Sequence, residues 1–127
     1  MNKAYGMLGL AQKAGRLVFG EDSIRKAIKS GKATLVIVAE DASDNSKKRF
    51  TDSCAFYKSE LILWGTKDEL GRATGKNERA AVAVCDKNLA RAILDKIHSA
   101  QDLQKSDESN NNVTNELKIL PGGELIE

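Results

Sequence analysis

Apolar residues recur at helical and strand-like spacings along the first 98 residues of the chain. Ala4, Leu8 and Ala11 stand three or four positions apart, which is the spacing of one helix face. This spacing predicts a helix over 2–14, and a second helix over 21–30 follows a short segment rich in β-forming residues. A glycine stands directly after each of these helices, as is common where a helix ends in a left-handed conformation.

Three apolar runs rich in β-branched side chains then alternate with helical segments. Continuous apolar runs of this length are typical of strands that are covered on both faces. We predict strands over 34–39, 61–64 and 79–85, and helices over 43–57, 66–75 and 86–97. With a short strand over 16–19, this order predicts an α/β fold, a three-layer α/β/α sandwich around a mixed, mostly parallel four-stranded sheet.

The last 29 residues differ in composition from the rest. Residues 99–116 are dominated by Ser, Asp, Asn, Gln and Glu, which leaves little to bury. Residues 117–127 regain some apolar side chains around Pro121, a pattern that fits a small hairpin or docking peptide as well as an unstructured end. We therefore expect one α/β/α domain over 1–98 and a disordered, acidic polar tail over 99–127.

The net charge of +2 conceals an uneven distribution. Residues 1–98 carry 18 basic and 12 acidic side chains, whereas residues 99–127 carry two basic and six acidic ones. The body is therefore +6 and the tail −4, and residues 1–32 alone carry +5. A concentration of positive charge of this kind favours a phosphate-containing partner.

Length and composition exclude several classes of protein. A chain of 127 residues with 41% hydrophobic and 30% charged residues is typical of one globular domain. No run approaches the ~20 apolar residues that span a bilayer, and no signal-peptide pattern begins the chain. We expect a cytoplasmic protein without membrane contact, whose Cys54 and Cys85 are buried thiols rather than a disulfide.

Side chains suited to catalysis are sparse. Glu40, Asp41 and Asp86 follow predicted strands, where α/β proteins often bind ligands, so a small metal-dependent enzyme is one interpretation. Carboxylates in such places more often cap helices, and His98 is the only histidine. Glycine-rich nucleotide-binding patterns are absent at strand-to-helix turns. We therefore predict no catalytic residue, no metal site and no cofactor.

The start of the second helix combines hydrogen-bond acceptors and donors. Glu21 and Asp22 would repel phosphate, but they are suitable acceptors for the amino groups of bases. Lys26, about one helical turn later, is a suitable donor to guanine O6 and N7. Such a combination favours the reading of base edges, which RNA exposes in bulges and internal loops.

Several motifs then occur in an order that resembles a known family. They are LGLAQKAGR at 8–16, GEDSIRK at 20–26, ATLVIVAEDA at 33–42, ELGRATG at 69–75 and AAVAV at 80–84. Together they resemble the ribosomal protein L-seven-Ae family, and in particular its short bacterial branch, the YlxQ-like proteins. The resemblance covers residues 4 to about 97. It implies an α/β/α sandwich that binds kink-turn RNA, a sharply bent duplex with a bulge and tandem sheared G·A pairs.

The same resemblance assigns roles to individual positions. Gly20 corresponds to the glycine that opens the recognition helix, and Lys26 to the lysine that contacts guanines. Asp22 and Ser23 stand where better-known members have Asn and Glu. The charged segment 76–79 replaces an apolar loop that packs on a flipped-out nucleotide. The predicted RNA-binding residues are Arg16, Gly20, Glu21, Asp22, Ser23, Arg25, Lys26, Lys76 and Arg79.

This assignment imposes a geometric condition. In a purely parallel sheet, the start of the helix over 21–30 and the segment 76–79 would lie at opposite edges of the sheet. They form one surface only if the sheet is mixed or the helix is strongly tilted. The short strand over 16–19, running antiparallel, is the element that we expect to provide the mixing.

Two functional hypotheses follow from the sequence. The first is a monomeric, non-enzymatic protein that binds structured RNA, a kink-turn or a related internal loop of ribosomal or other RNA, with the ribosome as a potential partner. The second is a protein-interaction adaptor that keeps the fold but has a weakened RNA surface. Asp22, Ser23 and the acidic tail motivate the second hypothesis.

Overall fold

The alternating segments form helices and strands close to the predicted positions. The computed structural model describes residues 3–105 and 119–120, and all structural statements below concern these residues. The helices are α1 (Lys3–Lys13), α2 (Glu21–Lys29), α3 (Asp44–Tyr57), α4 (Lys67–Ala73) and α5 (Lys87–Lys105). The strands are β1 (Leu17–Phe19), β2 (Leu35–Val38), β3 (Glu60–Leu63), β4 (Ala81–Val84) and β5 (Ile119–Leu120).

The sheet confirms the α/β fold but corrects the direction of its strands. Its order is β1-β4-β2-β3-β5, and only the β2–β3 pair is parallel. The expectation of a mostly parallel sheet is therefore wrong. β4 pairs antiparallel with both β1 and β2, so the three strands β1, β2 and β3 run one way and β4 runs the other way.

The reversal of β4 has a local cause in the connection that precedes it. After α4, the chain turns back along the helix that it has just formed. The Lys76 amide donates to the Gly71 carbonyl (2.8 Å), and the Arg79 amide donates to the carbonyl of Lys67, the first residue of α4 (3.0 Å). β4 therefore begins at the end of the sheet where β3 finished, instead of crossing to the opposite end.

The two central strands form the middle of the core. All four residues of β2 and all four of β4 are buried, as their continuous apolar runs predict. The helices supply apolar faces to this sheet, with Ile24 and Ile28 from α2, Leu8 from α1 and Ile93 from α5 almost fully buried. Cys54 is buried in the same cluster, and burial raises the pKa of its thiol to about 12. Cys85 is half-buried, and both thiols are free.

Side chains cap the starts of α4 and α5 as the sequence predicts, but the predicted return contact of Glu69 differs. Asp86 accepts the amide of Leu89 (3.0 Å), and Thr66 accepts the amide of Glu69 (3.1 Å). The sequence predicts that Glu69 returns this contact in a capping box. Its carboxylate instead accepts the hydroxyl of Tyr5 (2.6 Å), which ties α1 to α4.

α5 continues beyond the predicted end near residue 97 and reaches Lys105. β5 adds a two-residue antiparallel strand beside β3. The remainder of the predicted tail, residues 106–118 and 121–127, lies outside the described residues. Within the described part of the chain, no helix has the length and apolarity to cross a membrane.

One residue that ends a helix adopts a conformation that is unfavourable for its type. Lys58, after α3, has φ 63° and ψ 41° in the left-handed region. The other left-handed positions in the described chain are all glycines, namely Gly15, Gly20, Gly31, Gly65 and Gly75. A side chain in this region costs about 1–2 kcal/mol because its Cβ approaches the following carbonyl oxygen.

Lys58→Gly should therefore stabilise the protein. We expect the free energy of unfolding to rise by about 1 kcal/mol, since glycine adopts this conformation without the Cβ contact. Urea unfolding followed by circular dichroism measures the change. Lys58→Ala is the matched control, because it removes the charge but retains the Cβ, and an equal gain in that variant would contradict the backbone explanation.

Candidate nucleic-acid interface

The start of α2 projects from the end of the sheet where β1 finishes. Gly20 precedes the helix with φ 88° and ψ 136°, and no side chain caps the helix. A Cβ at Gly20 would meet nothing within 4 Å, so the backbone angle alone requires glycine here. The first amides of α2 are consequently open to a ligand, as at many helix starts.

α2 separates buried and exposed side chains clearly. Ile24 and Ile28 face the core, whereas Asp22, Ser23 and Lys26 are exposed on the opposite side. Positions three and four apart lie on one face of a helix, so these three polar side chains form a single surface. Lys26 makes no ion pair among residues 3–99, the part of the chain whose side chains the structure describes.

Glu21 is held by other parts of the protein. Its Oε2 lies 2.8 Å from Nε of Arg49 on α3, and its Oε1 accepts Nη2 of the same arginine at 3.4 Å. Arg25 adds a longer contact at 4.0 Å. These exposed ion pairs contribute only about 0.2–1 kcal/mol each, so their main effect is to orient Glu21 toward α3.

Sequence reasoning missed Arg49 because the contact joins two helices 28 positions apart in the chain. No local pattern around Arg49 indicates a partner in α2. Its side chain remains 54% exposed, so it presents positive charge next to the start of α2.

Arg79 joins the segment 76–79 to the start of α2. Its guanidinium carbon lies 3.5 Å from the centroid of the Phe19 ring, and Phe19 directly precedes Gly20. Its Nε donates to the hydroxyl of the buried Thr74 (2.9 Å). Burial lowers the pKa of Arg79, but an arginine remains charged at neutral pH. The stacked guanidinium thus fixes the segment beside the helix start.

We call this continuous area the α2–loop surface. It consists of Gly20, the exposed side of α2 and the segment 76–79. The condition that the sheet be mixed is met, and β1 does pair antiparallel with its neighbour. The expectation that β1 provides the mixing is wrong, because β1 runs in the same direction as β2 and β3, whereas β4 and the short β5 run against them. Phe19 at the end of β1 therefore pairs with Val82 near the start of β4.

Gly71 allows the segment 76–79 to lie flat on α4. A Cβ at Gly71 would stand 2.7 Å from the carbonyl carbon and oxygen of Asn77 and from the amide nitrogen of Glu78. All three are backbone atoms, so no side-chain rotation could relieve the contact. Sequence reasoning did not single out this role, although a glycine inside a short helix is itself a signal of close approach.

The structure separates some predicted residues from this surface. Arg16 precedes β1 at the opposite end of the sheet, where its Nε lies 3.8 Å from Asp86. Lys76 is exposed within the segment 76–79. Arg25 is exposed on α2 but leans toward Glu21.

The carboxylates considered for metal chemistry have structural partners. Asp41 accepts the Lys67 amide at the start of α4 (2.8 Å), and Asp86 caps α5 at the opposite end of the sheet. Among residues 3–99, whose side chains the structure describes, no group of three or more His, Cys, Asp or Glu residues could hold a metal ion.

Comparison with known proteins gives a consistent result. The profile of the ribosomal protein L7Ae/L30e/S12e/Gadd45 family matches residues 2–94. The RNA-binding protein YlxQ of Bacillus subtilis (strain 168) is 40% identical over 90 residues, covering 71% of this chain and 90% of that protein. The RNA-binding protein YlxQ of Enterococcus faecium is 34% identical over 89 residues, covering 70% of this chain and 85% of that protein.

Solved structures share the same architecture. A protein with unknown function from Bacillus halodurans is 37% identical, with a TM-score of 0.74 over 77% of this chain and 99% of that chain. A 15.5kD RNA binding protein of Giardia lamblia is 20% identical, with a TM-score of 0.63 over 78% of this chain and 85% of that chain. The second likeness supports the fold alone.

Gly71→Ala should displace the segment 76–79. The added methyl group would overlap the backbone of Asn77 and Glu78, and overpacking of this kind costs about 1–3 kcal/mol. We expect a lower free energy of unfolding and faster amide hydrogen exchange over 76–79.

Gly6→Ala is the matched control for the same type of substitution. A Cβ at Gly6 meets nothing within 4 Å, and the position lies in α1. Alanine should stabilise the helix there by about 0.5–1 kcal/mol. Unchanged hydrogen exchange over 76–79 in Gly71→Ala would show that the close approach does not hold the segment.

Proposed function

Because the chain belongs to the ribosomal protein L7Ae/L30e/S12e/Gadd45 family, we propose that it binds structured RNA through the α2–loop surface. The observation that carries this proposal is the stacking of Arg79 on Phe19, next to Gly20. This contact makes the helix start and the segment 76–79 neighbours, so one RNA motif can touch both. The two similar proteins from Bacillus subtilis and Enterococcus faecium bear the description of RNA-binding proteins.

The exposed side of α2 supplies the base-reading groups in this proposal. Lys26 donates to guanine O6 and N7 in the major groove of the RNA, a contact that a free ammonium group at this position can make. Asp22 and Ser23 lie on the same face and accept hydrogen bonds from the amino groups of bases.

Basic side chains around the helix hold the RNA backbone. Arg25 and Arg49 flank the start of α2 and are each about half exposed. Lys76 and the remaining N–H groups of Arg79 face the same ligand from the segment 76–79. Glu21 acts in this scheme as a positioning residue, because Arg49 and Arg25 already occupy its carboxylate.

Arg16 precedes β1 and lies at the other end of this strand from Gly20, beside Asp86. We therefore assign it to a flanking part of the RNA backbone, where it acts only through its charge. Its pairing with Asp86 reduces that contribution.

We further propose that the preferred ligand is a kink-turn or a related internal loop, in ribosomal or other structured RNA. A sharp bend with exposed purine edges presents bases to α2 and an unstacked nucleotide to the segment 76–79. The protein acts as a monomer in the cytoplasm and catalyses no reaction in this proposal.

Lys26→Ala tests the base contact directly. We expect the affinity for a kink-turn duplex to fall by about 1–3 kcal/mol, the value of a good base contact, while affinity for a straight duplex changes little. Fluorescence anisotropy with labelled RNA at fixed salt measures both affinities. Lys29→Ala is the matched control, since it removes the same charge from the same side of α2, about one helical turn farther from the helix start.

Three results would contradict the proposal in whole or in part. Equal affinity of the wild-type protein for the bent and straight duplexes would remove the kink-turn preference. Equal losses of affinity for Lys26→Ala and Lys29→Ala would show that Lys26 contributes only its positive charge and makes no specific base contact. Absence of all RNA binding would favour the protein-interaction adaptor instead.

The salt dependence tests how many phosphates the surface engages. If ~4 phosphates are contacted, the logarithm of the affinity should fall with the logarithm of the salt concentration with a slope of about −3 to −4. Arg49→Ala should make this slope shallower by about one, because it removes one phosphate contact. An unchanged slope would place Arg49 outside the interface.

A further inference from the structure

A second concave area lies at the opposite end of the sheet. A groove of about 730 Å³ runs between α5 and the turn that joins α3 to β3, next to the residues that precede β2. We call it the distal groove. Among the residues that line it are Tyr57, Lys58, Lys87, Arg91, Leu94 and His98. The proposed contacts on the α2–loop surface use none of them.

An exposed aromatic pair adjoins the distal groove. Phe56, at the end of α3, is 76% exposed, the highest value among the large hydrophobic residues of the described chain. It packs edge-to-face with Tyr57, with ring centroids 4.8 Å apart and planes at 80°. Tyr57 is 39% exposed and lines the groove, so the two rings form an apolar step at its margin.

Lys58 follows the aromatic pair in an unfavourable backbone conformation. It is the only residue other than glycine with positive φ in the described chain. The five other described residues with positive φ are glycines, which adopt this conformation without strain. A cation thus occupies the margin of the groove at a position where the backbone alone would favour glycine, and strain of this kind often accompanies functional sites.

The charges in the groove favour an anionic ligand. Lys87 and Arg91 stand one helical turn apart on α5, opposite Lys58, and all three are exposed. Glu60 and Asp95 also line the groove, so positive groups exceed negative ones by one without counting His98. Exposed aromatic rings beside several cations are the usual elements of a single-stranded nucleic-acid site, where bases stack on the rings and phosphates meet the cations.

We propose that the distal groove binds single-stranded RNA. Bases stack on Phe56 and Tyr57, and the backbone follows Lys58, Lys87 and Arg91. The carboxylates of Glu60 and Asp95 can accept hydrogen bonds from the amino groups of bases. The inference rests on the proposed function only in taking RNA as the ligand. Since the groove and the α2–loop surface lie at opposite ends of the sheet, both can be occupied at once.

The experiment measures binding of a labelled ten-nucleotide oligouridine to the full chain by fluorescence anisotropy. We expect Phe56→Ala to raise the Kd about tenfold, because it removes one stacking platform. Leu10→Ala is the matched control, since it also truncates an exposed hydrophobic residue (58% exposed) but on α1. We expect that control to leave the Kd unchanged.

Lys58→Gly separates binding from folding. The variant should raise the Tm and yet weaken oligouridine binding, a combination that loss of structure cannot produce. Saturation with an unlabelled kink-turn duplex should leave oligouridine binding in place. Lys26→Ala should likewise leave it in place.

Several outcomes would overturn the inference. They are failure of oligouridine to bind, equal Kd values for wild type and Phe56→Ala, and displacement of oligouridine by the kink-turn duplex. If oligouridine does not bind and Phe56→Ala abolishes self-association in analytical ultracentrifugation, the aromatic pair is a contact between copies of the chain. Binding of oligouridine without any binding of the duplex would instead contradict the proposed function and leave this inference standing.

Discussion

At the end of the sheet where β1 finishes and β4 begins, the arrangement of the elements depends on the close packing of segment 76–79 against Gly71. This contact lets the chain return along α4, so that Arg79 reaches the carbonyl of Lys67. β4 then enters between β1 and β2 from the end where β3 finished, and the sheet becomes mixed. The guanidinium of Arg79 stacks on Phe19 as a result of the same path. The hydrogen atom at Gly71, in place of a methyl group, thus leaves room for the segment that brings these elements together.

The acidic side chains at this sheet end are largely engaged in holding the fold together. Glu21 meets Arg49, Asp41 caps α4, and Glu69 accepts the hydroxyl of Tyr5. Burial, together with the nearby carboxylate of Glu69, raises the pKa of Tyr5, so its hydroxyl stays protonated and remains a donor. Lys26 and Lys76 of the same area are exposed, and Arg49 stays 54% exposed although it pairs with Glu21. A chain with a net charge of only +2 can therefore present a basic surface.

The sequence predicted the elements well because helix and strand periodicities are local. Each helix and strand in residues 3–98 begins within about two residues of its expected place, and the capping roles of Thr66 and Asp86 are confirmed. Strand direction could not be read in the same way, because an apolar run such as 81–84 has the same pattern in either direction. The contact between Glu21 and Arg49 was also missed, since it depends on how α2 and α3 pack. The roles of Asp22, Ser23 and Lys26 in RNA binding remain predictions from the sequence, although their exposure on one face agrees with them.

The fluorescence of Trp64 reports on the end of the sheet where β3 finishes. This residue is the only tryptophan of the chain, it directly follows β3, and it stacks on Tyr5 with ring centroids 4.5 Å apart. Its amide donates to the Val38 carbonyl, and its neighbour Gly65 accepts the Glu40 amide, so the indole is attached to the sheet end itself. Tryptophan emission depends on the polarity and rigidity of its surroundings. Ultraviolet excitation of the unmodified protein therefore observes one defined position, and a movement of α1 that separates Tyr5 from Trp64 should change the emission without an attached dye.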